Sequence, residues 1–286
     1  MWNFARLRLA ARSCAACALA RGGPRSVFLV FALTLVAAGA ARAQKPDPLA
    51  EVRECLKRNV PKQSSVQTVH FTSYDRIGGS REFRGKILAR TMDDGTRRGK
   101  LCISQPPEMR GSEVLSMEVK GSAPENFLYT EELRKTKRVT GDGAGGSLFG
   151  TDFTYEDMQR FMQLNRPEAT TRLPDGDVDG HAVFVVQAVP TDQAKSAYTK
   201  VLSYVDKTTC VVLKSESYEQ GERVRKVLSA KTEQMYTEKG VTAPSEVTMK
   251  DLRDNTRTVV VIEDLDVDGD VDSRSFEVSQ LGRHCR

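Results

Sequence analysis

Two acidic turns in this chain carry the residue types that hold calcium. Asp175, Asp177 and Asp179 precede Gly180, and Asp264, Asp266 and Asp268 precede Gly269. Oxygen donors at alternate positions before a glycine make the first half of an EF-hand loop, whose twelfth position must be a bidentate glutamate. That position is Val186 in one turn and Ser275 in the other, and no helical pattern leads into either. Both are expected to be hairpin turns. Gly141, Gly143 and Gly146 fit G-x-G-x-x-G, but a dinucleotide site needs a helix opening directly on the glycines, and here another turn follows. His70, His181 and His284 form no HExxH or i,i+4 pair, and G-x-S-x-G is absent. Glu156 and Asp157 are neighbours in sequence, so on a helix they splay apart and make no acid–base dyad. The chain is read as a non-enzyme, with no catalytic residue, metal or cofactor.

The N-terminus points to a compartment. Arg6, Arg8, Arg12, Arg21 and Arg25 form a basic region, an apolar run spans 27–38, and Ala41-Arg42-Ala43 fits small-x-small cleavage. Residues 1–43 are read as a secretory signal peptide and 44–286 as one periplasmic domain, a monomer. The apolar run falls short of the ~20 residues that a membrane span needs. The whole chain carries 43 basic and 38 acidic residues; the leader holds six of the arginines, which leaves 37 against 38. No basic footprint for nucleic acid survives. Cys55, Cys102, Cys210 and Cys285 remain, and in an oxidising compartment an even number favours two disulfides, with three pairings open. Charged residues at 28%, aromatics at 7% and no aromatic girdle argue against an integral outer-membrane barrel.

These residues must be positioned by strands. Over 83–90, Phe83, Ile87 and Ala89 face one way and Arg84, Lys86 and Arg90 the other, with Leu88 breaking the polar side. That is the period of a half-buried antiparallel strand. Leu115, Met117 and Val119 likewise alternate with Ser116, Glu118 and Lys120, whereas 182–189 is apolar on both faces apart from Gln187. About eleven strand candidates, a helix over 48–59 capped by Asp47, a second short helix and no βαβ alternation predict a mainly β fold. The sheet is expected to be antiparallel, curled into a barrel or half-barrel, with short α-helices at one end.

The second helix opens on Ser147-Leu-Phe-Gly-Thr-Asp-Phe-Thr-Tyr-Glu-Asp-Met158. Gly150 suits a positive φ, Asp152 and Thr154 are side chains that cap a helix start, and Glu156 and Asp157 fall in the first turn, at the positive end of the dipole. Tyr155 is placed to pack on the barrel. Gly150, Asp152, Tyr155 and Asp157 are thus read as a structural junction and not as ligand contacts.

This string resembles the F-x-G-S/T-D-F-T-Y-E-D signature of the bacterial outer-membrane lipoprotein-sorting family, relatives of the LolA carrier. Phe83-Arg-Gly-Lys-Ile-Leu88, Phe127-Leu-Tyr129 with Leu133-Arg-Lys-Thr-Lys-Arg138, Val205-Asp-Lys207 with Val212-Leu-Lys214, and the closing Phe276 and Leu281 are similar to further segments of it. The proline usual in the middle segment is replaced by Thr130-Glu131-Glu132. The resemblance implies a half-open β-barrel closed at one side by short α-helices. It also implies carriage of lipid or lipoprotein acyl chains, with a membrane exporter as donor. A carrier through water needs a dry pocket, because each exposed CH₂ costs about 0.8 kcal/mol. Ile87, Leu115, Met117, Phe127, Phe184, Val186 and Leu202 are the expected cavity lining. The alternative is a non-catalytic interaction module that binds a protein at a sheet edge or at the 141–158 loop.

Overall fold

The structure, a computed structural model, describes residues 47–283 apart from 141, 142 and 144. The signal peptide read over 1–43, together with Gly141, His284 and Cys285, lies outside the described residues.

Helix α1 (Ala50–Arg58) leads into hairpin β1 (Ser64–Tyr74) and β2 (Ser80–Thr91), then β3 (Arg97–Gln105), β4 (Glu113–Val119), β5 (Ser122–Thr130) and β6 (Lys135–Val139). Helix α2 (Tyr155–Phe161) separates these from β7 (Glu168–Val178), β8 (His181–Pro190), β9 (Lys200–Asp206), β10 (Val212–Glu219) and β11 (Arg223–Ala230). A two-stranded ribbon, β12 (Met235–Glu238) with β13 (Val241–Pro244), precedes β14 (Glu246–Asp251) and β15 (Thr256–Val267). Strand β11 stops at Ala230, and β12 and β13 form a ribbon apart from the main sheet. Helix α1 starts two residues later than expected. Leu49 is its N-cap, and Asp47 accepts from Leu49 N at 3.0 Å ahead of the helix.

Thirteen strands form one antiparallel sheet in the order β6-β5-β4-β3-β2-β1-β15-β14-β11-β10-β9-β8-β7. Sheets of this size curl under the twist between neighbouring strands. The first and last strands meet at the centre, so β6 and β7 are the two edges and the half-barrel stays open. These edge strands flank α2 in sequence. The chain must therefore leave one edge and cross the mouth to reach the other, and that crossing is what covers the sheet.

Residues directly opposite across an antiparallel pair share a face. The register Ile87↔Leu101, Leu101↔Val114 and Leu228↔Met249 thus defines an inner face. It carries the main core, with Val69, Phe71, Phe83, Ile103, Val247, Val260 and Ile262 buried beneath the crossing. Phe71 stacks on Phe83 with centroids 4.4 Å apart, and Phe153 from the crossing meets Phe71 edge-on at 6.1 Å.

The double-faced strand β8 is covered on both sides. Phe184 and Val186 pack with Val52 and Cys55 of α1, while Val183 and Val185 pack with Val211 and Leu213. Of the three open cysteine pairings, the structure contains Cys55–Cys210, which ties α1 to the β9–β10 turn; Cys102 is also disulfide-bonded. The Cys55–Cys210 bridge closes a 155-residue separation. The double replacement Cys55→Ala/Cys210→Ala should therefore cost about 2–4 kcal/mol in urea unfolding, because a long loop is released in the unfolded chain. A loss below about 0.5 kcal/mol would mean that α1 is held by packing alone.

Candidate functional site

The crossing segment 147–164 is built from the junction motif. Phe149 and Gly150 both have positive φ, at 50° and 76°, and the turn is closed by Leu148 N donating to Phe153 O at 2.8 Å. A side chain at Gly150 would also crowd the Arg81 guanidinium, 3.3 Å from where its Cβ would stand. Thr154 is the N-cap of α2. Its hydroxyl accepts from Asp157 N at 3.1 Å and Asp157 accepts from Thr154 N at 2.8 Å, a reciprocal capping box.

Asp152 does not cap the helix. Its carboxylate turns to the sheet and accepts from the hydroxyls of Thr256 and Thr258 on β15, the second at 2.6 Å. Its N–H donates to Thr258 Oγ1 at 2.9 Å. Asp157 goes beyond its cap: it accepts from Tyr198 OH at 2.8 Å and lies 3.4 Å from Lys226 Nζ, which also donates to Asp152 O. The two carboxylates of the motif therefore staple the crossing to β15, β11 and the segment before β9. All of these groups except the half-buried Thr256 are buried, which is why they are bonded to one another.

The rest of the perimeter is polar as well. Glu156 accepts from Ser196 Oγ and Ala197 N, both at 2.9 Å, and pairs with Arg160 and Arg166, each at 3.2 Å. Gln159 donates to Asn126 Oδ1 at 2.8 Å, to which Ser116 also donates at 2.8 Å. At the far end of α2, Arg97 Nε donates to Met162 O at 3.1 Å. Between these tethers the underside is apolar: Leu148, Phe153, Tyr155, Met158, Met162 and Leu164 are buried against the inner face.

Burial raises the Tyr155 phenol, and burial with the nearby Asp157 carboxylate raises Tyr198 well above its ordinary value. Burial and Glu216 push Tyr218 up to about 12. Each folded phenol holds its proton more tightly than the unfolded one, so their contribution is complete below about pH 10. It is lost as pH rises through the folded values. Stability should fall between about pH 10 and 12, and Tyr198→Phe should flatten part of that fall while costing about 1 kcal/mol at neutral pH. An unfolding free energy that stays level across this range would contradict the assignment.

The seven expected lining residues do not share one cavity. Ile87 lies on the inner face in the main core, and Phe184 and Val186 lie on the inner face beneath α1. Leu115, Met117 and Phe127 lie on the opposite face, where Val271, Phe276 and Leu281 of the C-terminal tail cover them. Leu202, opposite Gln187 and Glu216, is half-buried on that outer side too. The inner-face residues not foreseen include Val69, Phe71, Leu101, Ile103, Val260 and Ile262.

With the crossing in place, the space among Ile87, Ala89, Phe161, Met162 and Ala243 is about 40 Å³, roughly the room of one water. A larger, mainly polar space of about 710 Å³ opens at the start of the crossing between Tyr74, Arg81, Gly150, Asp152, Arg225 and Asp254. Of the two acidic stretches, the first ends in the β7–β8 hairpin turn, where Asp177 accepts from Gly180 N at 2.8 Å; the second is no hairpin but the end of the last strand, β15, beyond which Asp268 accepts from Gln63 N at 2.7 Å.

An open antiparallel half-barrel with helices across its inner face is the fold of the lipoprotein-sorting proteins. A domain from Vibrio parahaemolyticus assigned to outer membrane lipoprotein sorting is 21% identical, with 82% of this chain and 98% of that one covered and a TM-score of 0.74. A DUF1329 family protein from Desulfovibrio piger is 17% identical over 81% and 96%, with a TM-score of 0.73. A LolA superfamily protein from Nitrosomonas europaea is 17% identical over 79% and 97%, at 0.60. No curated protein matches the chain. A family model described as "Uncharacterized protein" matches residues 95–283, and the chain belongs to that family.

Proposed function

We propose that this protein is a periplasmic carrier that binds the acyl chains of a lipid or lipoprotein against the inner face of its half-barrel. It passes them between membrane components and performs no reaction. The observation that carries this reading is the construction of the cover: one crossing segment, apolar beneath and tethered only around its rim, lies over a continuous apolar trough. A sheet that needed its inner face sealed for good could close upon itself. Here the edges stay apart. Room for cargo is made by lifting 147–164, since the space beside Phe161 and Met162 at its far end is about 40 Å³. The lining is then Ile87 with Val69, Phe71, Phe83, Leu101 and Ile103, and a membrane exporter is the fitting donor.

The experiment is extraction and native mass spectrometry of protein purified from the periplasm without detergent. One bound lipid or acylated peptide per chain is the expected result. Repeated recovery of bare protein would overturn carriage. It would favour the second reading, a protein-interaction module, to which the filled interior also points.

A further inference from the structure

Polar and apolar side chains are sorted lengthwise along the inner face. Val69, Phe71, Leu101 and Ile103 fill its middle and one end. At the other end the same face carries Ser65, Gln67 and Arg97. Ser65 stands opposite Ala89, Gln67 opposite Ile87, and Arg97 opposite Thr91, on the same side of β3 as Leu101. From Arg97 to Ile103 the strand runs about 20 Å at about 3.3 Å per residue. That is room for one lipid chain, which fills about half of a ~30 Å hydrocarbon core.

Two of these polar groups are short of partners. Arg97 is 5% exposed; its Nε donates to Met162 O at 3.1 Å, and one terminal nitrogen donates to Thr91 Oγ1 at 3.4 Å. No carboxylate among the described residues pairs with the guanidinium: burial lowers its pKa, and Glu118 and Asp268 raise it only through space. Both acids are taken up by backbone donors, Glu118 by Arg97 N and Asn165 N, Asp268 by Gln63 N and Ser64 N. Arg97 keeps its charge, so a cation sits in the interior without a paired anion, which is costly. Gln67 Oε1 is also buried and accepts no hydrogen bond. Both residues line the space of about 40 Å³ beside Phe161 and Met162. A water there would satisfy polar atoms but leave the charge unmatched.

We propose that the cargo is an acyl lipid whose head carries an anionic oxygen, a carboxylate or a phosphate, and that Arg97 binds that oxygen. The chain lies along Leu101, Val69, Phe71 and Ile103, and the planar fork of the guanidinium takes two oxygens side by side. Lifting 147–164 withdraws Met162 O from Nε, and the anion takes the place of that carbonyl. When the lipid leaves, the carbonyl returns. Gln67 Oε1 remains as an acceptor for a hydroxyl of the same head. This inference rests on acyl-chain carriage and narrows it: ester and amide heads, as on an acylated polypeptide, offer Arg97 only neutral oxygens and bind less tightly.

The test is equilibrium binding of palmitate, hexadecyl phosphate and hexadecanol at about pH 8, where both acidic heads are ionised. The parent protein should bind the anions about tenfold or more tighter than the alcohol, the worth of a charge-assisted hydrogen bond. Arg97→Gln should bring the anion-to-alcohol ratio to about one while hexadecanol still binds, and Arg97→Lys should keep part of the preference, since a point charge remains without the fork. The ratio is taken within each protein, so a general loosening of the crossing, which affects all three ligands alike, does not move it. A preference confined to one anion sustains the proposal and names the head. A parent that binds hexadecanol as tightly as both anions, or an Arg97→Gln variant that keeps the preference, overturns the role of Arg97 and leaves carriage standing. A parent that binds none of the three overturns both.

Discussion

Asp157→Ala should destabilise the fold by about 3–5 kcal/mol, the range for breaking a buried ion pair from one side. The carboxylate is buried and serves four donors: Thr154 N at 2.8 Å, Thr154 Oγ1 at 2.9 Å, Tyr198 OH at 2.8 Å and the Lys226 ammonium at 3.4 Å. Its loss removes half of the capping box and leaves the Lys226 charge in the interior with the Asp152 carbonyl as acceptor. A companion Lys226→Met in the same chain should recover a substantial part of the loss, because the uncompensated charge goes too. A structural readout accompanies the stability. Freeing this corner of the crossing exposes Phe71, Phe153 and Met158, so an apolar dye should bind the variant under conditions where the parent binds none. Equal stability and equal dye binding would show that the apolar underside alone holds the crossing in place.

Much of the fold could be read in advance, because alternation reports burial directly. The junction motif could be read for the same local reason: Thr154 with Asp157 three residues on is a capping signal whatever surrounds it. What could not be read was which side of a strand faces inward. On β4 the sequence offers an apolar stripe, Leu115 and Met117, against Ser116 and Glu118, and the apolar stripe was assigned to the interior. The structure reverses this. Ser116 is on the inner face because it donates to Asn126 beneath Gln159 of α2, and Leu115 faces outward because the C-terminal tail covers it.

The one sign of that cover was Leu88, an apolar residue on an otherwise basic side. It packs in the same outer cluster, next to the tail. Asp152 was misplaced for a related reason. Its residue type fits a cap, but its partners Thr256 and Thr258 are more than a hundred residues away. Long-range polar contacts leave no periodic trace in a sequence. Cys55 and Cys210 show the same limit, since only the folded sheet brings α1 to the β9–β10 turn.

Lys100→Met should be as damaging as loss of Asp157, and its remedy is more telling. Lys100 and Glu113 face each other on the outer side of β3 and β4, 3.4 Å apart and almost wholly buried under the tail. Burial lowers the Lys100 pKa while the Glu113 carboxylate raises it again. Nζ also donates to Ser275 O at 2.9 Å, and Glu113 accepts from Gly282 N at 2.9 Å, so the pair is the polar centre on which the tail is seated. Removing the ammonium alone strands a carboxylate in a dry interface, at a cost of about 3–5 kcal/mol. Removing both charges as Lys100→Met/Glu113→Leu should cost far less, because Leu115, Met117, Phe127 and Phe276 already surround the site with apolar groups. Urea unfolding of the two single variants and the double variant gives the coupling between them. A double variant as unstable as the sum of the singles would mean that the backbone contacts to Ser275 and Gly282, and not the charge pair, fix the tail. The outer face would then depend on the tail's own hydrogen bonds for its cover.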